Sequence, residues 1–222
     1  SGAPEGLVLV ADHQTGGRGR LGRTWSAAPG AALLVSVLLR PPLPIDEVSV
    51  VLMAAGLAAC DGVEAAAGFR PGLKWPNDLV VRDRKLAGLL TEATGGADPG
   101  VVLGLGINVA ASAYPAELAG QATSCEEEAS RPVDRAELLV AFLVALETRY
   151  SSVLGGGSRS ATLDAYRADS ATLGRRVRVE LAAGPALEGS ASGVADDGRL
   201  VVVDDAGAEH LVSVGDVKHL RT

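Results

Sequence analysis

The sequence predicts an α+β fold in which a mixed sheet flanked by helices is followed by a small all-β barrel. Apolar runs of strand length recur through the first half of the chain, and two longer segments carry apolar residues at helical spacing. From Leu173 onward apolar residues alternate with polar ones, which is typical of strands. A chain of 222 residues can bury one sizeable core and a second small unit. We therefore expect a main domain over residues 1–170 and a C-terminal domain over residues 171–222.

Six short apolar runs of the main domain are predicted to be strands, because they are of strand length and are separated by turn-forming or charged residues. The turn between the third and the fourth contains Pro-Asn-Asp, a common turn sequence. The six strands are expected at Leu7–Ala11, Ala31–Leu39, Leu73–Trp75, Leu79–Arg82, Lys85–Thr94 and Val101–Val109.

Two long helices are predicted from capping residues and periodicity. Asp46 suits the N-cap of a helix that runs to about Ala67. Asp134 and Glu137 have the spacing of a capping box at the start of the second helix. The buried faces are expected to carry Val48, Val51, Leu52 and Ala55 in the first helix, and Leu138, Leu139, Phe142, Leu143 and Leu146 in the second.

The last part of the chain has the pattern of a small β-domain. A linker at Gly155–Ser158 and a short helix around Ala161–Ala168 precede it. Val177, Val179 and Leu181 then alternate with polar residues, and turn clusters divide the segment into four or five short strands. So many short strands in about 50 residues are typical of a barrel. The turn clusters are Gly184-Pro185, Asp196–Gly198 and Asp204–Gly207.

Composition narrows the classes of function. The formal net charge is −7, so the surface as a whole does not suit nucleic acid. Cys60 and Cys125 lie far apart without a Cys-x-x-Cys or a histidine cluster, which predicts neither zinc nor a disulfide, and Cys60 is expected to be a buried free thiol. No apolar run reaches the roughly 18–20 residues of a membrane span, and no signal peptide is visible. We therefore expect a cytoplasmic location.

A glycine- and arginine-rich segment, Gly16–Trp25, is the most informative part of the chain; we call it the Gly/Arg loop. Glycine lets the backbone approach a ligand, and arginine offers forked donors that match phosphate and carboxylate oxygens. The segment thus predicts a mobile loop that closes over an anion. Gly17, Gly19 and Gly22 also satisfy G-x-G-x-x-G, but a dinucleotide site requires a following helix, which this sequence does not favour. A disordered nucleic-acid-binding segment is the other alternative.

Three further motifs combine polar residues or glycines with strand ends. Lys74–Asp78 places a lysine and a tryptophan before the Pro-Asn-Asp turn, so that a ring for stacking lies beside possible ligand or metal contacts. Lys85–Glu92 and Gly104–Val109 are strand-like with internal glycines, which often mark the close approach of a ligand. Taken singly, each is equally compatible with a turn or an ordinary buried strand.

Together and in this order, the motifs GRGRxGRxW, KWPND, KLAGLLTE and GLGIN resemble the biotin protein ligases, and the similarity extends from about Leu7 to the C-terminus. The resemblance implies a class II aminoacyl-tRNA synthetase-like domain, the biotin–lipoate ligase fold, followed by an SH3-like barrel. It also implies the monofunctional bacterial type, which ligates biotin to a lysine of a biotin carboxyl carrier protein through biotinyl-5′-AMP. The expected substrates are biotin and ATP, with Mg²⁺. The implied partner is the carrier domain of acetyl-CoA, acyl-CoA or pyruvate carboxylase, without DNA or membrane, and a homodimer is compatible.

The resemblance also implies roles for individual residues. Lys85 and Arg20 would be catalytic, since Lys85 would contact both the biotin carboxylate and the α-phosphate, and Arg20 would neutralise phosphate. Asp78 would assist Mg²⁺. The implied biotin contacts are Gln14, Gly17, Arg18, Lys85, Gly88 and Gly104, and the implied adenylate contacts are Arg20, Arg23, Trp25, Asn77 and Asn108.

Two departures from the family pattern are visible. Leu21 stands where the family usually has a polar or basic residue, and the Ser/Thr-Asn segment expected before the first strand is not in this sequence. We therefore expect either that an upstream segment, lost by truncation or by a misassigned start, supplies part of the biotin pocket, or that the pocket is incomplete. The alternatives are a lipoate or octanoate protein ligase, which shares a related fold, and a biotin- or adenylate-binding module without turnover. A DNA-binding repressor is disfavoured because no basic recognition helix is visible.

Overall fold

The computed structural model describes residues 2–44, 48–95, 99–154, 159–181 and 184–220. It contains a six-stranded sheet with three main helices, followed by a five-stranded antiparallel sheet, so the predicted α+β class is confirmed. The strands of the larger sheet are β1 (Val8–Ala11), β4 (Ala32–Leu39), β5 (Gly72–Lys74), β6 (Asp78–Val81), β7 (Arg84–Thr94) and β8 (Gly100–Asn108). They lie in the order β1-β4-β8-β7-β6-β5.

All ladders between these six strands are antiparallel. Among the described residues, parallel pairing consists of two isolated bridges, Leu73 with Ser170 and Lys85 with Ala122. The Gly/Arg loop forms a separate two-stranded ribbon of β2 (Gly17–Arg18) and β3 (Thr24–Trp25).

The two faces of the large sheet have different partners because side chains alternate along each strand. On one face Leu33, Val35 and Val37 of β4 are buried in the main core, which they share with the helices. On the other face, Leu34 packs in a small satellite cluster and Ser36 lines a cavity. One face thus holds the fold together and the other is open to a ligand. The helices are α1 (Ser49–Ala67), α2 (Cys125–Ala129), α3 (Arg135–Leu154) and α4 (Arg159–Ala168).

Helix α1 lies at the centre of the core. Its many alanines and Gly62 let α3 approach closely, since a Cβ at Gly62 would lie 3.0 Å from the backbone of Phe142. The helix is long and apolar enough to cross a membrane, although Asp61 and Glu64 interrupt its apolar run. However, 72% of its most apolar 18-residue stretch is buried inside the structure, as in the core helix of a globular domain. The predicted N-cap, Asp46, lies outside the described residues.

Helix α3 begins as predicted. The Asp134 carboxylate accepts hydrogen bonds from the backbone N–H groups of Ala136 and Glu137, at 2.6 and 3.0 Å. These bonds satisfy donors that the first helical turn leaves free. The predicted linker Gly155–Ser158 lies outside the described residues. The fully buried residues of the α3 face are Leu138, Phe142, Leu146 and Tyr150, whereas Leu139 and Leu143 are partly buried.

The C-terminal sheet consists of β9 (Arg176–Glu180), β10 (Leu187–Val194), β11 (Leu200–Val203), β12 (Glu209–Val212) and β13 (Asp216–His219). These strands pair in the antiparallel order β12-β11-β10-β9-β13, which is consistent with the predicted SH3-like domain, although no ladder among the described strands joins β12 to β13. The apolar face of the sheet joins the main core. Polar contacts also bind the sheet to the main domain: Trp75 Nε1 donates to the Gly198 carbonyl at 3.0 Å, and the Arg175 guanidinium pairs with Asp83.

Candidate active site

A cavity of about 320 Å³ lies on the open face of the large sheet. Four parts of the chain form its walls: Gln14 with the Gly/Arg loop, residues 34–36 of β4, strands β5 to β8 with the turn after β5, and residues 215–217 at the start of β13. The C-terminal sheet therefore contributes directly to the cavity. Of the residues predicted for the site, the cavity is lined by Gln14, Gly17, Arg18, Arg20, Arg23, Trp25, Asn77, Asp78, Lys85, Gly88 and Gly104.

The Gly/Arg loop is ordered by its own short ribbon. Gly17 pairs with Trp25 across the ribbon, and a Cβ at Gly17 would overlap the Trp25 carbonyl and lie 2.7 Å from Gln14 Oε1. Glycine is therefore required there by the close approach of the opposite strand. Leu21 has φ +56°, a backbone conformation that a leucine adopts at a cost, and its side chain is exposed.

The Trp25 ring covers two glycines of the sheet. Gly88 and Gly106 face each other across β7 and β8. A Cβ at Gly106 would lie 2.6 Å from Trp25 Cε2, and one at Gly88 would lie 3.3 Å from Cζ3. The two missing side chains thus create a flat glycine floor on which the Trp25 ring lies. Trp25 Nε1 is buried without a hydrogen-bond partner among the described residues, so it can donate to a ligand.

A β-bulge turns Lys85 toward the cavity. Lys85 pairs with Val80 and Ala87 with Leu79, so Leu86 is an extra residue between two consecutive partners on β6. In a regular strand Lys85 and Gly88 would point to opposite faces, because they are three residues apart. The bulge places both on the ligand face, which is a common use of such irregularities near active sites.

The Lys85 ammonium lies where an anion would bind. Its Nζ is 2.7 Å from Asp78 Oδ1 and 5.7 Å from the centroid of the Trp25 ring. The backbone of Lys85 is fixed on both sides: its N–H donates to the Gln121 carbonyl at 2.7 Å, and its carbonyl accepts from Thr123 N–H at 2.9 Å. This support holds the lysine stem in place.

The three arginines of the Gly/Arg loop have different partners. Arg18 pairs with Glu92 at 3.1 Å, and both side chains are exposed. Arg23 pairs with Asp216 through two hydrogen bonds, and this contact holds the pKa of Asp216 below and that of Arg23 above its usual value. Because each of these cations already has an anion, ligand binding must displace or share a carboxylate.

Arg20 contacts a neutral group instead. Its guanidinium donates to Asn77 Oδ1 at 3.3 Å, and burial lowers its pKa. The amide of Asn77 is itself fixed, since Nδ2 donates to the Leu89 carbonyl at 2.6 Å. A half-buried cation without a carboxylate in contact is favourable for binding an additional anion.

Asn108 lies apart from the cavity wall. It is 4% exposed, and its Nδ2 donates to the carbonyls of Thr123 at 3.0 Å and Lys85 at 3.4 Å. The structure therefore places it behind Lys85, where it supports the strand, and its direct contact with adenylate stays a prediction.

Sequence reasoning missed Glu92 and Asp216 as partners of the loop arginines, and Lys74 and Ser36 as lining residues. Glu92 and Lys74 stand inside the motifs, whereas Asp216 lies in a segment whose pattern indicated a strand and nothing else. Cys60 and Cys125 are buried free thiols, as expected for Cys60, and burial raises the pKa of each to about 12.

The site offers carboxylate oxygens to a cation but no cluster of them. Asp78, Glu92 and Asp216 are separately paired with basic side chains, and among the described residues no group of three or more His, Cys, Asp or Glu side chains could hold a metal. This donor set fits Mg²⁺, which is usually bound through one or two carboxylates together with substrate phosphates.

Comparison with known proteins gives the family. Residues 1–108 match the model of the Biotin/lipoate A/B protein ligase family, and residues 172–220 match the Biotin protein ligase C terminal domain. The chain is 42% identical over 221 residues to the biotin–[acetyl-CoA-carboxylase] ligase of Mycobacterium tuberculosis, covering 98% of this chain and 80% of that protein. It is 34% identical to the bifunctional ligase/repressor BirA of Bacillus spizizenii, covering 95% of this chain and 66% of that protein.

Solved structures agree with the sequence matches. The biotin protein ligase of Aquifex aeolicus, in complex with biotin and ATP, superposes with a TM-score of 0.87 at 28% identity, covering 99% of this chain and 92% of that one. With both family models, the relatives and this superposition in accord, the chain belongs to the biotin protein ligase family.

Proposed function

We propose that this chain ligates biotin to a lysine of a biotin carboxyl carrier domain, using ATP and passing through biotinyl-5′-AMP. The observation that carries the proposal is the position of Lys85, which the β6–β7 bulge brings beside the glycine floor and the Trp25 ring. Relatives of the chain are biotin–[acetyl-CoA-carboxylase] ligases, and a similar structure holds biotin and ATP.

The first half-reaction joins two anions. A carboxylate oxygen of biotin attacks the α-phosphorus of ATP, the bond between that phosphorus and the oxygen bridging to the β-phosphate breaks, and the electron pair leaves with pyrophosphate. Lys85 would offset the repulsion between the carboxylate and the α-phosphate, and Arg20 would bind the charge that builds on phosphate oxygens. Lys85 pairs with Asp78 before the ligands bind and would pair with the ligands afterwards. Its ammonium therefore has an anionic partner at each stage.

The glycine floor would hold the biotin ring once the Trp25 ring, which covers Gly88 and Gly106, moves off it. Gly104 lies beside this floor without crowding, and Gly17 and Gln14 close the pocket from the loop side. Arg18 would lie beside biotin once its exposed pair with Glu92 opens.

The second half-reaction transfers the biotinyl group. A neutral lysine amine of the carrier attacks the carbonyl carbon of the mixed anhydride, AMP leaves with the electron pair of the broken C–O bond, and the amine releases one proton to solvent as the amide forms. No covalent enzyme intermediate is required, so the site needs no nucleophile with a partner base. The main task of the protein is to hold the adenylate and exclude water.

Nucleotide contacts would come from the loop and from the turn after β5. Arg20, Arg23, Trp25 and Asn77 all line the cavity, and Asn108 would act by supporting Lys85. Asp78, together with phosphate oxygens, would hold Mg²⁺, which would neutralise part of the triphosphate charge when bound.

The carrier domain of acetyl-CoA carboxylase is the proposed partner, in line with the name of the Mycobacterium tuberculosis relative. Strand β1 is an outer strand of the large sheet, and Leu9 and Val10 on it are 63% and 52% exposed. An outer strand with exposed apolar residues can pair with a strand of another chain. Pyruvate carboxylase carriers and a second copy of this chain are alternative partners for this edge.

The test incubates the chain with biotin, MgATP and a recombinant biotin carboxyl carrier domain. Mass spectrometry is expected to show one biotinyl group on the carrier lysine, and a coupled assay is expected to show one pyrophosphate per group. Excess lipoate is expected not to compete. Turnover of lipoate but not of biotin would show that the substrate is lipoate. Biotin binding without pyrophosphate release would show that the chain is a binding module without catalytic activity.

A further inference from the structure

One register row crosses the ligand face of the sheet from β5 to β8. Lys74 pairs with Asp78, Asp78 with Gly88, and Gly88 with Gly106. Directly paired residues in antiparallel strands project to the same face. The Trp25 ring lies over the glycine end of the row, and Lys74 stands at the other end. Because neighbouring strands are about 4.8 Å apart, Lys74 lies roughly 10 Å from Gly88 along the floor.

The Lys74 side chain lines the cavity and is half-buried. Its ammonium has no hydrogen bond or ion pair among the described residues. The two nearby carboxylates are already engaged, Asp78 by Lys85 and Asp216 by Arg23. Burial lowers the pKa of Lys74, because the half-buried ammonium loses part of its hydration. Such a group is stabilised when an anion enters the cavity.

The side chains assigned so far leave the β- and γ-phosphates of ATP without a basic partner. Lys85 and Arg20 are proposed for the carboxylate and the α-phosphate, and the other loop residues for biotin and the adenosine. The β- and γ-phosphates carry most of the charge of ATP and leave as pyrophosphate, taking the electron pair of the broken P–O bond. A compact ammonium is a suitable partner for such oxygens.

We propose that Lys74 binds the β- and γ-phosphates of ATP and stabilises the leaving pyrophosphate. The proposal rests on the proposed function. The register row then runs from the glycines under the Trp25 ring, past the reacting centre near Lys85 and Asp78, to the leaving group at Lys74.

Direct binding of inorganic pyrophosphate tests this without any turnover. Isothermal titration in magnesium-containing buffer would compare the parent chain with Lys74→Ala, Lys74→Arg and Lys218→Ala. Lys218 is a matched control, because it is a lysine of β13 whose exposed ammonium pairs with Glu180. Lys74→Ala is expected to weaken binding roughly 10-fold or more, as for loss of a charged hydrogen bond. Lys74→Arg is expected to restore much of it, and Lys218→Ala to change nothing. Equal pyrophosphate binding by the parent and Lys74→Ala would overturn the proposal.

Separate assays of the two half-reactions distinguish this role from a structural one. Lys74→Ala is expected to raise the KM for ATP and slow adenylate formation, while transfer from synthetic biotinyl-5′-AMP to the carrier domain keeps its parent rate. Equal loss in both half-reactions would overturn the assignment to the leaving group. If Lys74→Ala weakens pyrophosphate binding but the parent chain forms no biotinyl-5′-AMP, the proposed function is wrong and the role of Lys74 in binding pyrophosphate still stands.

Discussion

Arg23 and Asp216 join the Gly/Arg loop to the C-terminal sheet through two hydrogen bonds, of 3.1 and 2.6 Å. Paired forks of this kind fix orientation as well as distance. Because Arg23 follows the short turn that carries Arg20, the pair also fixes the turn over the cavity. The C-terminal sheet is thus a structural part of the site rather than an appendage.

Asp216→Asn is expected to loosen the loop, because it removes the charge that holds Arg23. Release of bound biotinyl-5′-AMP should become roughly 10-fold faster, as for loss of a charge-assisted hydrogen bond. Stopped-flow displacement of the adenylate would measure it. The control is Asp205→Asn, which removes another bidentate pair of the same sheet, Arg176–Asp205, outside the cavity. Equal release rates in the two variants would contradict a role for Asp216 in holding the loop.

Arg20→Gly is expected to let the reactive adenylate escape. The half-buried Arg20 guanidinium has a neutral amide as its partner, so it is free to bind the adenylate phosphate. Without it, free biotinyl-5′-AMP should label lysines of a bystander protein such as serum albumin, detected by mass spectrometry. Arg199→Gly, which removes an arginine paired with Asp197, is the control and should give no labelling. If Arg20→Gly retains the adenylate as tightly as the parent, the assigned role is wrong.

Gly106→Ala is expected to displace Trp25, since the new Cβ would lie 2.6 Å from the ring. The free energy of unfolding should fall by about 1–3 kcal/mol, and Trp25 fluorescence should shift toward longer wavelength. Gly104→Ala is the informative comparison, because its Cβ would meet the nearest atom at an ordinary 3.6 Å. That variant should keep the emission of the parent while weakening biotin binding. Unchanged fluorescence in Gly106→Ala would contradict the packing of the ring.

His219 is expected to make stability depend on pH. Its side chain is 7% exposed, contacts Asp83, Arg175 and Thr172, and has a pKa lowered chiefly by burial. The folded protein therefore takes up this proton at lower pH than the unfolded chain, in which histidine titrates near 6.5. The stability that neutral His219 contributes is complete above that pH and is lost as the pH falls below it.

His219→Gln should therefore reduce the drop in the urea midpoint between about pH 7.5 and about pH 5.5. His13→Gln, at an exposed position, should leave the drop as in the parent. An unchanged drop in His219→Gln would show that other groups set this pH dependence.

Local sequence patterns predicted most of the helices and strands, but they could not predict the β-bulge in β7 that brings Lys85 to the cavity. The apolar run of Ala31–Leu39 and the N-cap at Asp134 determine their elements locally, and both were confirmed. The bulge opposite β6 depends on which residues pair across strands, so the sequence could not show that Lys85 and Gly88 share a face. The Arg23–Asp216 pair joins residues 193 positions apart, and no local spacing indicates it.

Two further features depend on contacts between distant parts of the chain. Period-two alternation predicted the strands of the C-terminal domain, and the antiparallel sheet that they form is consistent with the SH3-like barrel, but the pairing order of the strands is not visible in the sequence. The adenylate contact implied for Asn108 stays a prediction, and the hydrogen bonds of its amide to the carbonyls of Lys85 and Thr123 could not be predicted from local spacing. A buried amide serves either purpose, and sequence spacing does not distinguish them.

The most direct test of the account is adenylate formation by the parent chain and by Lys85→Ala. Each protein would be incubated with biotin and MgATP, freed of excess ligand, denatured and analysed by mass spectrometry for biotinyl-5′-AMP. The parent should carry close to one adenylate per chain, and Lys85→Ala should form it at least about 100-fold more slowly with an unchanged circular dichroism spectrum. Adenylate formation by Lys85→Ala at nearly the parent rate would contradict the central claim that the bulge-positioned lysine serves the reacting centre.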